Sequence, residues 1–149
     1  MAAEYLSDEL KRRGANVLAK LDQLGLEPQG VLWLHFPHVK DWRLTVITDL
    51  VDTLGRKRAY DLIGSALDHV GPVEGLTVFD LHIAAPSEVM PRVLGGAFVF
   101  ENGIVELSDI SINDMPIDAV IYRLRRARAF PAAKKAASKF EKSVAQLAY

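Results

Sequence analysis

Residues 31–52 read VLWLHFPHVKDWRLTVITDLVD, two runs of branched and aromatic apolar side chains separated by the polar stretch Pro37, His38, Val39, Lys40 and Asp41. Such side chains fit a pleated, buried surface, and a short polar break between two of these runs reads as a hairpin connection. On the first run Leu32, Leu34 and Phe36 share one face, and Val31, Trp33 and His35 the other. On the second, Trp42, Leu44 and Val46 oppose Arg43, Thr45 and Ile47. Neither run alternates apolar with polar. A strand that is apolar on both faces belongs inside a sheet covered from both sides, so this stretch predicts a sheet centre for which the rest of the chain must supply neighbours and cover.

Cover comes first from the N-terminus, where Leu6, Leu10, Val17, Leu21 and Leu24 recur at helical spacings and predict a helix over residues 3–24, stopped at Gly25. After the hairpin, Asp52 or Thr53 can cap a second helix with a buried stripe of Tyr60, Ile63, Leu67 and Val70, ended by Gly71 and Pro72. Its first turn carries Arg56, Lys57 and Arg58, at the end where the helix dipole favours anions. Residues 76–83, LTVFDLHI, predict a third strand with Val78, Asp80 and His82 on one face. Ser87 is suited to start a short helical turn that Pro91 would distort.

Gly95 and Gly96 precede AFVF, then Asn102 and Gly103, then IVEL; Asn-Gly is the strongest short hairpin signal because both residues tolerate positive φ. The second arm can run on to Ile112, with a bulge at Ser108 and Asp109. Residues 117–124 carry two readings. Asp114, Pro116 and Asp118 are placed as for a helix start, and helix is the expectation adopted, although IDAVIYRL is also good strand material. An Ala- and Lys-rich helix is expected over residues 132–147, with Ala133, Ala137, Phe140, Val144 and Leu147 as its apolar stripe.

The chain has 149 residues, a length that suits one domain able to bury roughly two thirds of its unfolded surface. The expected architecture is α+β, a mainly antiparallel sheet of about five strands flanked by helices, with residues 1–130 as a single domain and residues 131–149 as a basic C-terminal helical extension. There is no cysteine, so disulfides and thiolate chemistry are absent. No apolar run reaches the roughly 20 residues that span a bilayer, and the N-terminus lacks the pattern of a secretory signal. A soluble cytoplasmic protein is the expectation.

Trp42, Val51, Asp52, Gly55, Arg56, Ala59 and Tyr60, with the later stretches 113–117 and 119–124, resemble elements of small uncharacterised bacterial α+β proteins. The resemblance covers about the middle two thirds of the chain. It implies a common α+β domain and no particular activity, and the basic stretch after Leu124 lies outside it.

Few residues suggest chemistry. His35, His38, Asp80 and His82 come from strands or turns that could be neighbours, and two imidazoles with a carboxylate could hold a divalent metal. The spacing of His35 and His38 does not put both on one strand face, and no HExxH motif is present. Asp49, Asp52 and Glu101 could be drawn as a nuclease-like set, but chance triads are common on a chain this rich in carboxylates. The phosphate loop, the GxSxG elbow and the GxGxxG turn are all missing. No cofactor is implied. The sequence favours a non-catalytic protein, with a hydrolase or metal-dependent enzyme built on a His/Asp site as the alternative.

Charge is unevenly spread. Residues 1–120 carry 10 Lys+Arg against 18 Asp+Glu, and residues 121–149 carry 8 against 1. Such asymmetry marks an interaction segment. The candidate residues are Arg123, Arg125, Arg126 and Arg128, then Lys134, Lys135, Lys139, Phe140 and Lys142. Three uses stay open: folding back on the acidic body, docking or self-association with a protein partner, or neutralising the phosphates of nucleic acid or an anionic membrane surface.

Overall fold

A computed structural model describes residues 6–36, 41–70, 80–88, 99–101, 103–112 and 114–147. In chain order the elements are α1 (Asp8–Gln23), β1 (Gly30–His35), β2 (Arg43–Ile47), α2 (Leu50–Leu54), α3 (Arg56–Val70), β3 (Leu81–Ala84), β4 (Val105–Ile112), β5 (Met115–Leu124) and α4 (Phe130–Leu147). The fold is α+β. Five strands form one sheet in the order β3-β2-β1-β5-β4.

The pair β1 and β2 does occupy the middle of the sheet, in antiparallel register with Trp33 opposite Leu44. The sheet as a whole is mixed, because β3 joins β2 in parallel, with Val46 opposite Ile83. The reason lies in the connection: α2 and α3 carry the chain back across the sheet before β3, as a parallel neighbour requires. The single helix expected over residues 52–70 is divided by Gly55, whose φ of 89° lies outside helical space for other residues.

The helix expected at residues 117–124 is corrected to a strand. β5 lies between β1 and β4, with Trp33 opposite Val120 on one side and Glu106 opposite Val120 on the other. Ile117, Val120, Ile121 and Tyr122 are buried, and a strand buries such a run on both faces where a helix would bury one stripe. Asp114 enters the left-handed region, φ 65°, where β4 reverses into β5. Pro116 faces Ser111 on β4, beyond the last β1 pairing at His35 and Asp118, so its missing N–H removes no bond to β1.

The Asn-Gly hairpin is also corrected, as far as its described residues go. Phe100 bridges Leu124, and Val105 pairs with Ile121, so both sides of Gly103 run along β5 rather than along each other. The bulge expected at Ser108 and Asp109 is present as a register shift between Leu107 and Ile110. The start of the third strand, the Pro37–Lys40 part of the first hairpin turn, and the segment around Pro91 lie outside the described residues.

Residues of all four helices pack with Val31, Trp33, Leu44, Val46, Leu81, Ile83, Val120 and Tyr122 into one core on one face of the sheet. Leu32, Leu34, Ile47, Ile117, Ala119, Ile121 and Leu124 are buried on the other. This accounts for strands that are apolar on both sides. α1 starts at Ser7, whose hydroxyl accepts from the Leu10 N–H, and ends where Gly25 (φ 85°) lets the Leu26 and Gly25 N–H groups bond back to the Leu21 and Asp22 carbonyls. The bonding pattern is a Schellman cap, and Leu26 is buried beside it.

Candidate interaction surface

The residues after β5 divide into two groups, set by which carboxylates they can reach. Arg123, still within β5, is buried and forms a two-point pair with Asp22 of α1, at 2.7 and 2.8 Å. Planar guanidinium and carboxylate groups match at two points, which fixes geometry as well as charge. The bond to Asp22 is the main reason the Arg123 pKa lies above its ordinary value, with burial opposing it. Arg125 places its Nε 2.8 and 2.9 Å from the two Glu101 carboxylate oxygens, joining the end of β5 to the chain that leads into β4.

Arg128 closes a third contact. Its Nε and one terminal nitrogen lie 2.5 and 3.1 Å from Asp49, the residue before α2, and this bond is the first cause of its raised pKa. Asp49 is buried and is also held by the buried Gln29, which donates to its carboxylate at 3.2 Å and accepts from its N–H at 2.8 Å. The Gln29 carbonyl accepts in turn from the Arg125 N–H at 2.6 Å. The chain between β5 and α4 is thereby tied to one end of the central strand pair, where β1 begins and β2 finishes. A buried carboxylate needs such partners, since an unpaired charge in the interior is strongly unfavourable.

α4 then turns its apolar stripe inward. Ala133, Ala137, Phe140 and Val144 are buried, and Phe140, at 1 % exposure, is among the largest fully buried side chains. Pro131 sits in the first turn, where its missing N–H costs no helical bond. On the neighbouring helix Arg58 reaches Glu141 with its Nε and a terminal nitrogen at 3.2 and 3.1 Å. Glu141 is the lone acidic residue after Val120, so this contact engages the one carboxylate available on α4.

Of the nine candidate residues, Arg123, Arg125, Arg128 and Phe140 therefore serve internal contacts. Arg126, Lys134, Lys135, Lys139 and Lys142 are exposed, and none forms an ion pair among the described residues. Lys135, Lys139 and Lys142 are spaced by four and three positions, which aligns them along about 10 Å of one helix face. That face is opposite the buried stripe. Phe130, 58 % exposed at the start of α4, is four residues before Lys134 and shares its side of the helix, about 120° or more around the axis from Lys135, Lys139 and Lys142.

The histidine and carboxylate candidates do not converge. His35 stacks on Trp42 with ring centroids 5.1 Å apart, and its Nδ1 is 3.7 Å from an Asp118 oxygen. His82 lies on β3, with its pKa lowered first by burial and then by Arg43 and Arg56. His38 is outside the described residues, and among the described residues no group of three His, Asp or Glu could hold a metal ion. Asp49 is held by Arg128 and Gln29, Asp52 accepts from the Ser87 hydroxyl, and Glu101 is held by Arg125. These carboxylates bind separate partners. Among the described residues no helix is long and apolar enough to cross a membrane.

Sequence reasoning did not identify Asp22, Gln29 and Phe130. Asp22 and Gln29 are single polar residues whose partners lie 101 and 20 positions away respectively, and no local pattern signals such pairing. Phe130 had a signal, the break it makes with Pro131, but its exposure is visible only in the folded chain. Comparison with protein-family models, curated proteins and solved structures finds no match for this chain.

Proposed function

We propose that this protein is a non-catalytic interaction or accessory protein that docks an acidic protein partner on the outer face of α4. The observation that carries the reading is the division of the basic residues. The arginines nearest the body are neutralised by Asp22, Glu101 and Asp49, whereas Lys135, Lys139 and Lys142 form an exposed row outside any ion pair among the described residues. Like charges at helical spacings of three and four destabilise a helix by a few tenths of a kcal/mol, so the row gives the isolated helix nothing. A complementary acidic surface turns the same charges into steering and register.

An extended polyanion fits less well. Nucleic acid would bring its charge close to residues 1–120, which carry 18 Asp+Glu against 10 Lys+Arg, and repulsion acts over a Debye length of about 8 Å at physiological salt. A compact acidic patch can meet α4 alone.

The test compares wild type with a variant carrying Lys135→Glu, Lys139→Glu and Lys142→Glu on immobilised poly-glutamate, and weighs both by sedimentation. Retention of wild type with loss of retention in the variant is expected. Equal elution of the two refutes the reading, and a change of mass in solution assigns the acidic partner to a second copy of the chain.

A further inference from the structure

We propose that the outer edge of β4 takes an extended peptide as a further strand, with one branched apolar side chain of that peptide seated in the groove between Ile104 and α1. The sheet has two edges, β3 and β4. That of β3 is closed by α3: the Tyr60 hydroxyl donates to the Leu81 carbonyl at 3.1 Å and accepts from the Ile83 N–H at 3.0 Å, and Arg56 donates to the Ile83 carbonyl at 2.7 Å. Those side chains occupy the groups that a further strand would need. The edge of β4 has no such cap, and among the described residues no strand lies on its outer side. An unpaired edge is a template for another chain, and main-chain bonding to such an edge is a recurring mode of peptide recognition.

Exposed apolar side chains fall on the same edge. Val99 and Ile104, 56 % and 52 % exposed, are two of the three large apolar residues exposed among the described residues. Both lie on the side of β5 where β4 runs, Val99 next to the Phe100 bridge to Leu124 and Ile104 just before Val105. Beside Ile104 is a groove of about 380 Å³, lined by Ala15, Leu18 and Ala19 of α1 together with Ile104, Tyr122 and Arg123. The charges that touch it are already matched, Arg123 by Asp22 and Glu101 by Arg125, so its unmet demand is apolar contact. Alternate residues of a strand face the same way, which lets one side chain enter the groove while the backbone pairs with β4. The register shift between Leu107 and Ile110 interrupts the edge, so the added strand is short. A second copy of the chain fits less well, because a two-fold axis through residues 104–107 sets the two Glu106 side chains near each other, and like charges across a strand pair are unfavourable. This surface is separate from the lysine row on α4.

The probe is a short fluorescein-labelled peptide of alternating valine and threonine with glutamine at both ends, measured by anisotropy on the full chain. Two further versions are N-methylated, one on the valines and one on the threonines; methyl groups that face β4 block its bonds, and those that face solvent do not. Ile104 and Ala19 are exposed, so Ile104→Ser and Ala19→Gln retain the core, which thermal melts verify. The expected result is binding of the parent peptide, loss with one methylated version alone, and about tenfold weaker binding to Ile104→Ser and to Ala19→Gln, as for a contact at the centre of an interface. The variant with Lys135→Glu, Lys139→Glu and Lys142→Glu should bind the parent as wild type does. Absence of binding by the parent, or any methylation pattern other than loss with one version alone, overturns strand addition. The one-sided pattern with undiminished binding to Ile104→Ser and Ala19→Gln overturns the groove assignment. Loss of the parent peptide in the lysine variant overturns the edge in favour of α4. A free chain that sediments as a dimer and becomes monomeric in Ile104→Ser overturns the peptide in favour of a second copy.

Discussion

Gly14 tests how closely α1 is fitted to the sheet. It sits in the buried face of α1, over Trp33 of β1 and Tyr122 of β5. A Cβ placed there would lie 2.6 Å from the Trp33 Nε1 and the Tyr122 hydroxyl, and 2.7 Å from the Tyr122 ring. The two side chains are joined by a Trp33 Nε1 to Tyr122 hydroxyl hydrogen bond of 3.1 Å, and that hydroxyl donates to the Lys11 carbonyl of α1. Gly14→Ala gains about 1 kcal/mol of helix propensity. Against this, overpacking a filled core costs about 1–3 kcal/mol, and moving α1 outward breaks one or both hydrogen bonds at about 1 kcal/mol each. The balance is a net loss of about 2 kcal/mol, read as a lower urea midpoint followed by tryptophan fluorescence. Gly14→Ser should lose more. An unchanged or raised midpoint for Gly14→Ala would refute the claim that absence of a side chain, rather than helix formation, decides this position.

Two further predictions concern the same core. Phe140→Ala should destabilise the protein by about 3–5 kcal/mol, the range for emptying a buried aromatic site, and chemical denaturation should show α4 melting with the body; a separate early transition for α4 would contradict its place in the common core. Burial pushes the Tyr122 phenol up to about 12, with the Trp33 hydrogen bond opposing. A folded pKa above the unfolded value of about 10 means that its contribution is present below pH 10 and is lost as pH rises toward 12. Ultraviolet titration should show one tyrosine ionising late, and Tyr122→Phe should remove that step; uniform titration of all tyrosines near pH 10 would contradict the burial.

Much of the fold could be read locally. Gly25 stops α1 as expected and the spacing of Val17 and Leu21 gives its buried face, but the helix begins at Asp8 after the Ser7 cap, later than the residue 3 start that the sequence suggested. The double-sided apolar runs of β1 and β2 put them inside the sheet. The misread segment was residues 117–124, where Asp114 and Pro116 imitate a helix start. Their true setting is the reversal from β4 and an end of β5 that has no β1 neighbour. The parallel entry of β3 was not legible either, because strand direction depends on the route of the connecting helices.

The candidate surface divides in the same way. The basic bias after Val120 is plain in the sequence, as is the stripe that carries Phe140 inward. Which cations remain free is not. Arg123, Arg125 and Arg126 are chemically alike and nearly adjacent, yet the first meets Asp22, the second meets Glu101, and the third stays exposed. The sequence by itself determined periodicity, caps and net charge, since these depend on neighbours within a few residues. Only tertiary structure decided strand order and the pairing of each charge. Both are set by contacts between residues far apart in the chain, where a carboxylate's position in space, and not its place in the sequence, determines which arginine it neutralises.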